Sequence, residues 1–314
     1  MEERGPSAFT MNATGRVVGA VGGVYRVQLE DGQVVAASLR GRLKRETKRP
    51  GTRLVVGDRV RVDIEAETAT VEEVLPRRSE LKRRGPVGRQ PKVVAANVDQ
   101  ILVVASIREP RIGLDVVDRF LVVGESTGLE VALIVNKSEL VGPAELEALR
   151  ERYRGTGYPL LLVSAKEGHG LPALEELLRD RTSVLIGPSG VGKTSLLNAL
   201  DPGLDLRVGE LSRKVQRGRH TTVRSRIISL SFGADVVDTP GFSDAGLWGV
   251  APEDLDQYFP ELRGRTGECR FRGCLHRAEP DCAVKAAVNE EALPRDRYSS
   301  YLRLLEETEA GTEW

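Results

Sequence analysis

The chain has 314 residues, of which 40% are hydrophobic and 29% charged, so it is long enough for two or three globular domains. Its 46 basic and 46 acidic side chains give a formal charge of zero, which excludes a uniformly basic nucleic-acid coat but not a local basic patch. Three cysteines exclude a disulfide scaffold, and no apolar run reaches the roughly 18–20 residues of a membrane span. The first residues lack the apolar core of a signal peptide, so we expect a cytoplasmic protein without membrane contact.

The N-terminal part predicts a flexible tail over 1–13 and a small β-barrel over 14–80. Short β-prone runs such as Val24–Leu29 and Val60–Val62 are separated by turn signals such as Gly22-Gly23. Five or so short strands in about 60 residues are typical of a small closed barrel. Periodicity alone does not separate an OB-fold from an SH3-like barrel.

Basic side chains are concentrated in two stretches, 40–53 within the barrel and 77–92 at its end. Several lysines and arginines close together favour contacts to RNA phosphates, with a solvated loop as the alternative for 40–53. The second stretch overlaps a segment that is also rich in glycine and proline. We therefore predict a basic linker over 81–95.

From residue 96 to 250 the pattern changes to short apolar strands that alternate with helices. Ile101–Ala105 and Val184–Ile186 contain no polar residue. Strands that are apolar throughout indicate a parallel sheet covered by helices on both faces. The last part, 251–314, holds all the cysteines and ends in a predicted helix over 296–309.

A phosphate-binding loop is predicted where the sequence fits G-x-x-x-x-G-K-S/T, after a strand and before a helix. Glycines let backbone N–H groups turn toward phosphate oxygens, and the helix N-terminus adds positive potential. Lys193 would reach the β- and γ-phosphates, and the Thr194 hydroxyl would coordinate Mg²⁺. The predicted nucleotide contacts are Gly187, Pro188, Ser189, Gly190, Val191, Gly192, Lys193, Thr194 and Ser195.

Two further elements follow the loop. Asp238 ends a strand and begins a D-x-x-G motif, so it would hold Mg²⁺ through water, and the Gly241 N–H would meet the γ-phosphate. Of the two threonines in Gly218–Thr222, we favour Thr222 to complete the magnesium shell. His220 is a candidate for orienting the attacking water, with a phosphate or RNA contact as the alternative.

Two short motifs predict recognition of guanine. Asn136-Lys137-Ser138-Glu139 ends a strand where GTPases carry N-K-x-D, whose acid accepts two hydrogen bonds from the base. Glu139 is one methylene longer than the usual Asp, so the geometry of that pairing must shift. Ser164-Ala165-Lys166 follows the next strand and matches the S-A-K element that supports guanine. The alternative is a P-loop ATPase or kinase, which Glu139 slightly favours. Asn136-Lys137 and Ser164-Ala165-Lys166 argue against that alternative.

The order of these motifs is informative. An ordinary GTPase runs from the phosphate loop through the threonine loop and D-x-x-G to N-K-x-D and S-A-K. In this chain the last two elements come first, which indicates a circular permutation; compact domains tolerate this because their ends can lie close together. Asp238-Thr-Pro-Gly241 then leads directly into the C-terminal region, so the nucleotide state can be relayed there.

A metal site is predicted near the C-terminus. All three cysteines and one of three histidines fall within a short, highly charged stretch, as Cys269, Cys274, His276 and Cys282. Three thiolates and an imidazole suit tetrahedral Zn²⁺ with no open position. We therefore predict one structural zinc, with buried free thiols or redox chemistry as alternatives.

Together, the permuted motifs, the barrel and the cysteine–histidine cluster resemble the RsgA (YjeQ) family of bacterial GTPases over residues 14–310. The resemblance implies an OB-fold barrel, a circularly permuted GTPase domain and a zinc-binding, mostly helical C-terminal domain. It implies GTP or GDP with Mg²⁺ as cofactors, and the small ribosomal subunit and its rRNA as partners of a monomer. The implied role is late maturation of that subunit, with GTP hydrolysis stimulated by it.

The catalytic residues expected for GTP hydrolysis are Lys193, Thr222 and His220. Many GTPases orient the attacking water with a Gln after D-x-x-G, but this chain has Phe242 there, whose side chain makes no hydrogen bond. We therefore expect slow intrinsic hydrolysis. The alternative function is an RNA-binding assembly chaperone that uses the nucleotide only as an occupancy switch.

Overall fold

The computed structural model describes residues 10–46, 53–65, 68–83, 92–207, 225–238, 247 and 250–310. It has the three predicted regions in the predicted order: a β-barrel, a parallel α/β sheet and a mostly helical C-terminal region. Every helix within these ranges is too short or too polar to cross a bilayer.

The N-terminal region is a closed barrel of five strands, β1 (Thr10–Val21), β2 (Val24–Leu29), β3 (Val34–Leu39), β4 (Arg59–Glu65) and β5 (Thr68–Val74), with a short helix α1 (Gly41–Glu46) after β3. The strand order around the barrel is β1-β2-β3-β5-β4. All pairs are antiparallel except β3 and β5, which are parallel. This Greek-key order is that of an OB-type barrel, so topology separates two barrel types that periodicity could not.

Every second residue of the barrel strands fills its interior, as the two-residue period of a strand requires. The fully buried side chains are those of Val17, Val27, Ala37, Val60, Val62 and Val71. The barrel begins earlier than predicted, because Thr10 already pairs with Glu65 of β4. The end of the segment predicted as a flexible tail, 1–13, is therefore part of a strand. Its sequence lacks apolar alternation, so only the pairing reveals it.

The range predicted as a basic linker, 81–95, begins and ends in paired strands. They are β6 (Glu80–Arg83) and β7 (Lys92–Ala96), which form an antiparallel pair. Leu81 and Ala95 are fully buried there. The strands were missed because each has only four or five residues. The Gly- and Pro-rich middle of the range lies outside the described residues.

The barrel is attached to the α/β region by close backbone contacts. Gly57 has a φ of +86°, and a Cβ there would collide with the carbonyl oxygen of Ala96, so only glycine fits. The Asn97 side chain accepts a hydrogen bond from the Arg78 N–H and donates one to the Gly57 carbonyl, each 2.8 Å long. The fully buried Asp58 carboxylate pairs with the Arg77 guanidinium at 2.7 Å. The Asn97 side chain therefore links the barrel to the start of the α/β region, and the Asp58–Arg77 pair stabilises the barrel side of this contact.

The central region contains a six-stranded sheet formed by β8 (Gln100–Ser106), β9 (Glu130–Asn136), β10 (Leu160–Leu162), β11 (Thr182–Ile186), β12 (Arg226–Leu230) and β13 (Ala234–Asp238). The strand order is β10-β9-β8-β11-β13-β12, and only the β12–β13 pair is antiparallel. The predicted parallel sheet is thereby confirmed.

Helices cover the sheet on both faces: α2 (Leu114–Glu125), α3 (Pro143–Arg152), α4 (Leu171–Leu178) and α5 (Lys193–Leu200). Residues along β8 alternate between two cores. Ile101 and Val103 pack with Phe120 of α2, whereas Leu102 and Val104 pack in the other core, which includes Leu196 of α5. Two-sided burial explains why the strands are apolar throughout.

The C-terminal region contains a 3₁₀ helix (Pro252–Tyr258) followed by α6 (Pro260–Arg263), α7 (Ala283–Asn289) and α8 (Arg295–Ala310). Its core includes Phe259 and Tyr301, whose rings meet edge to face with centroids 5.5 Å apart. α8 matches the predicted helix over 296–309 to within one residue at each end. This mostly helical composition confirms the predicted fold of the region.

A buried network of charges joins the C-terminal region to α2 and α3. Arg297 of α8 is 1% exposed and pairs with Asp118 of α2 and Glu261 of α6, both at 2.6 Å. Asp118 also accepts hydrogen bonds from Arg152 and from the Tyr153 hydroxyl. Burial alone would raise the pKa of Asp118, but the two guanidinium groups hold it below its ordinary value. Asp118 therefore stays charged inside the junction.

Candidate nucleotide site and metal centre

The predicted nucleotide residues lie at one edge of the sheet. Asn136 is the last residue of β9, Asp238 is the last residue of β13, and the phosphate loop follows β11 between them. Carboxyl ends of parallel strands share an edge, and ligands of open α/β sheets bind outside that edge. The topology thus brings motifs together that the sequence keeps far apart.

The phosphate loop has a backbone that only glycine can adopt at its critical positions. Gly187 and Gly192 have φ angles of +139° and +96°. A Cβ on Gly187 would collide with the Val104 carbonyl oxygen, and one on Gly192 would collide with the Asn136 side chain. The loop leads into α5, whose first turn presents free backbone N–H groups. This backbone is suited to holding phosphate oxygens.

Lys193 is buried within this loop. Its side chain is folded back so that Nζ donates to the carbonyl oxygens of Gly187 and Pro188, each at 2.8 Å. Burial lowers the Lys193 pKa to about 8, although the charge of Asp238 opposes this shift. Thr194 beside it is also buried. Phosphate oxygens are stronger acceptors than the two carbonyls, so the ammonium group fits the predicted role.

Asn136 joins the phosphate loop to the S-A-K segment. Its Nδ2 donates to the Val191 carbonyl at 2.9 Å, and its Oδ1 accepts from the Ala165 N–H at 3.1 Å. The side chain is 1% exposed. Each end of the amide thus holds one backbone group, so Asn136 positions two loops of the site. Its second N–H remains as a donor for a base, because a side-chain amide has two.

Glu139 carries an unsatisfied acceptor. It lies in a single 3₁₀ turn, Ser138–Leu140, directly after Lys137, which has a left-handed φ of +61°. Its Oε2 is buried and has no hydrogen-bond partner among the residues that the structure describes. A buried carboxylate oxygen without a donor is costly. The guanine N1–H and amino groups are donors of the kind it lacks, so the residue fits the predicted contact.

The two base-reading loops are adjacent, because the Ser138 N–H donates to the Val163 carbonyl at 3.0 Å. The Ser164 hydroxyl accepts from the Glu167 N–H at 3.0 Å and so shapes the turn that contains Lys166, which is exposed. Lys137 donates from Nζ to the Glu109 carbonyl, and the neighbouring Pro110 lies close to Gly190. Neither contact was predicted, since no sequence motif covers Glu109 or Pro110.

The magnesium and switch residues are described only in part. Asp238 is largely buried, with 16% side-chain exposure, and lies 3.4 Å from the Arg226 guanidinium. Its carboxylate and the Thr194 hydroxyl are oxygen donors of the type Mg²⁺ prefers. Thr222, His220 and Gly241 lie outside the described residues, as does Phe242, so their roles stay predictions.

The predicted zinc ligands converge in the C-terminal region. Ligand atoms of Cys269, Cys274, His276 and Cys282 all lie within 4.8 Å of one another. The Cys269 and Cys282 sulfurs are 3.9 Å apart, and His276 Nδ1 is 3.6 Å and 3.3 Å from them. A tetrahedral Zn²⁺ with bonds of about 2.3 Å to sulfur places ligand atoms about 3.6–3.8 Å apart. The four residues therefore fit a structural zinc.

Residues outside the cluster hold its ligands in place. His276 Nε2 lies 3.2 Å from Asp256 Oδ2, the carboxylate–histidine arrangement that orients a metal-bound imidazole. The His276 carbonyl accepts from the Tyr298 hydroxyl at 2.6 Å. Asp256 was missed in the sequence because it lies 20 residues from its partner and belongs to no spacing motif.

A mainly parallel sheet with base-reading motifs after β9 and β10, a phosphate loop after β11 and D-x-x-G beginning at the end of β13 defines a circularly permuted GTPase. The RsgA GTPase family model matches residues 74–248, and the RsgA N-terminal domain model matches 14–71. The chain therefore belongs to the RsgA GTPase family.

Curated relatives and solved structures agree with this assignment. The small ribosomal subunit biogenesis GTPase RsgA of Gemmatimonas aurantiaca is 43% identical over 303 residues, which cover 95% of this chain and 98% of the relative. That of Moorella thermoacetica is 42% identical over 294 residues, with 93% and 96% covered. The crystal structure of YjeQ from Thermotoga maritima matches with a TM-score of 0.78 and 33% identity, covering 95% of this chain and 99% of that one. YloQ, described as a circularly permuted GTPase, matches with a TM-score of 0.76 and 31% identity, covering 97% of both chains.

Proposed function

We propose that this protein hydrolyses GTP to GDP and phosphate and acts in the biogenesis of the small ribosomal subunit. Membership of the RsgA GTPase family and the names of its full-length relatives support this function. The observation that carries the GTPase assignment is the pair of Asn136 hydrogen bonds, to Val191 and Ala165. They tie the phosphate loop to the base-reading loops, so the phosphate end and the base end of one nucleotide site are built together.

The reaction is attack of water on the γ-phosphate, and catalysis consists mainly of positioning and charge stabilisation. Lys193 would exchange its two carbonyl partners for β- and γ-phosphate oxygens. The backbone N–H groups of Gly187–Thr194, except Pro188, which has none, would hold the remaining phosphate oxygens. Thr194, Thr222 and Asp238 would hold Mg²⁺. When bound, the ion would neutralise charge on the phosphates.

The water-orienting group is part of the proposal. Phe242 makes no hydrogen bond with a water molecule, so intrinsic hydrolysis should be slow. A neutral imidazole can orient water, and we assign this role to His220. Stimulation by the subunit would then consist of fixing the loop that carries His220 and Thr222.

Base selection is proposed to rest on Glu139. Its buried Oε2 has no partner within the described ranges and would accept from guanine, while adenine lacks the matching pair of donors. A missing pair of this kind costs about 1–3 kcal/mol of discrimination. Asn136, Lys137, Ser164, Ala165 and Lys166 would frame the base.

We further propose that the protein is a cytoplasmic monomer that contacts ribosomal RNA through its barrel. Arg40, Arg42 and Arg45 line a cavity of about 490 Å³ beside α1, with Glu72 as its acidic member. Such a basic surface favours phosphate contacts, and binding should weaken steeply with salt. One zinc ion held by Cys269, Cys274, His276 and Cys282 would have a structural role.

The test is steady-state hydrolysis of GTP and of ATP by the full chain, with and without purified small ribosomal subunits. We expect a low GTP rate that rises steeply with subunits, and no comparable ATP rate. Glu139→Gln should reduce the preference for GTP, whereas Glu147→Gln, on the exposed face of α3, should not change it. Loss of subunit stimulation in His220→Ala would support the role of His220.

Other outcomes would reject parts of the proposal. Equal use of GTP and ATP by the wild-type chain would contradict guanine selection by Glu139. Tight GTP binding with no stimulated turnover would favour a chaperone that uses the nucleotide as an occupancy switch. Full stimulated turnover by His220→Ala would remove that residue from the mechanism.

A further inference from the structure

An aromatic ring between two arginines stands on the surface of the metal loop. We call Arg270-Phe271-Arg272, which lies between the candidate zinc ligands Cys269 and Cys274, the zinc-loop tip. Phe271 is 45% exposed and is the only aromatic among the large exposed hydrophobic side chains of the described residues; the others are valines of the barrel. One exposed apolar side chain is ordinary on a protein surface, so the significance of Phe271 depends on its neighbours.

The neighbours of Phe271 are positively charged. The Arg270 guanidinium lies 5.4 Å from the centroid of the Phe271 ring. Arg270 also pairs with Asp281, but both side chains are 65% exposed, and such pairs contribute little in water. Arg272 is exposed and makes no hydrogen bond or ion pair within the described part of the chain. One guanidinium group therefore lies against the ring, and a second, exposed one follows Phe271 directly in the sequence.

The zinc-loop tip is held in a defined shape before any partner binds. It is flanked by Cys269 on one side and by Gly273 and Cys274 on the other, and both cysteine sulfurs belong to the four-ligand cluster. The Arg270 N–H donates to the Asp281 carbonyl at 3.3 Å, and Gly273 turns the chain with a φ of +71°. A side chain on such a loop loses less conformational entropy on binding than one on a mobile loop.

We propose that Phe271 is a stacking platform for an unpaired base of RNA, with Arg270 and Arg272 contacting the phosphates that flank this base. Aromatic rings and guanidinium groups are the side chains on which unpaired bases stack, and guanidinium groups also bind phosphate. An acidic protein segment would satisfy the two arginines but would leave the ring face without a matching surface. The inference rests on the proposed function only in taking ribosomal RNA as the source of the base.

The test compares two substitutions that distinguish stacking by an aromatic ring from an apolar contact that any hydrophobic side chain could make. Phe271→Leu keeps an apolar side chain without a ring, whereas Phe271→Tyr keeps the ring. Affinity is measured for purified small ribosomal subunits and for an unstructured RNA of about 12 nucleotides, which is within the length that single-strand binding sites cover. Zinc content and basal GTP hydrolysis, equal to those of the wild-type chain, establish that each variant is folded.

We expect Phe271→Leu to lower the affinity for subunits and for the 12-nucleotide RNA by at least about fivefold. Phe271→Tyr should bind both as the wild-type chain does. One rRNA base protected from chemical modification by the wild-type chain should lose this protection with Phe271→Leu. Arg272→Gln should reduce the slope of the logarithm of the binding constant against the logarithm of the salt concentration by about one, because one phosphate contact is lost. Arg154→Gln, which removes an exposed arginine from the α/β region, should not.

Wild-type affinity of Phe271→Leu for both RNAs would overturn the inference. A loss limited to subunits, with no change in base protection or in oligonucleotide binding, would also overturn it and would indicate a protein contact. Failure of the wild-type chain to bind subunits, while Phe271→Leu still weakens oligonucleotide binding, would count against the proposed function and would leave the stacking platform supported.

Discussion

The nucleotide site and the metal centre are assembled in opposite ways. The four candidate zinc ligands lie in one short stretch, and Cys269 and Cys282, which are 13 residues apart, hold their sulfurs 3.9 Å from each other. In the nucleotide site, Asn136 bonds to Val191, which is 55 residues away. The metal centre is thus built by local spacing, whereas the nucleotide site is built by the order of strands in a sheet.

The difference has a consequence for how each site fails. The metal centre should depend on its ion, because the binding free energy of a structural zinc contributes directly to folding. A site at the edge of a large parallel sheet should keep its backbone arrangement when one side chain is removed, because a hydrophobic core on each face of the sheet holds the strands in place. Each of the following predictions tests one side of this contrast or the junction between the two regions.

The largest effect is expected from loss of the metal. Zinc binding in comparable peptide sites contributes about 10 kcal/mol or more, so His276→Ala should lower zinc well below one ion per chain and unfold the C-terminal helices. Elemental analysis and far-ultraviolet circular dichroism measure the two effects. His169→Ala, at an exposed histidine, should leave both unchanged. If the helical structure is retained without zinc, the hydrophobic core of the C-terminal region is enough to keep that region folded.

Removing the buried charge at the junction should be the next largest effect. Asp118→Ala leaves Arg297 and Arg152 buried with one fewer counter-ion, which costs about 3–5 kcal/mol of unfolding free energy. Urea denaturation measures this loss. Asp296→Ala is the control. Asp296 is 80% exposed and its carboxylate is 3.6 Å from the Arg152 guanidinium, which is a long and solvated ion pair, so this substitution should lower the unfolding free energy by less than about 0.5 kcal/mol. Equal effects of the two substitutions would show that the network does not stabilise the junction.

A smaller effect is expected from Asn136→Ala. Two hydrogen bonds that join the base-reading and phosphate loops are lost, which should weaken GDP binding by about 2 kcal/mol, or about 30-fold. Isothermal titration calorimetry measures the affinity. Asn198→Ala is a matched control, since Asn198 also makes two hydrogen bonds to one backbone segment, at Leu206. If both variants bind GDP as the wild-type chain does, Asn136 does not organise the site.

The smallest effect is a pH dependence set by Lys193. Burial lowers the pKa of this ammonium to about 8 in the nucleotide-free protein, and bound phosphates favour its charged form. Affinity for GDP should therefore be constant below pH 8 and fall by up to about tenfold per pH unit above it, because binding then requires uptake of a proton. Titrations between pH 7 and 9 measure this. An unchanged affinity over that range would mean that Lys193 stays charged without the nucleotide.

Much of the local structure was predictable because it depends on neighbouring residues. The helix predicted after the phosphate loop is α5, which begins at Lys193 and ends at Leu200. The pattern of apolar runs predicted the strands that form the parallel sheet. Contacts with no local signal were not predicted: the pairing of β6 with β7, the partner of His276 at Asp256, and the network around Arg297.

The sequence by itself determined the motifs, their permuted order and the metal spacing, because each depends on which residue types occur within one short segment. The tertiary structure confirmed the OB-type barrel that the family resemblance implies, which strand alternation alone could not separate from an SH3-like barrel, since the parallel pairing of β3 with β5 leaves no mark on that alternation. It also decided that Asn136 connects two loops and that Glu139 keeps a buried oxygen unsatisfied among the described residues. Such contacts depend on which chain segments the fold brings together, and apolar burial sets that arrangement without specifying the polar partners in advance.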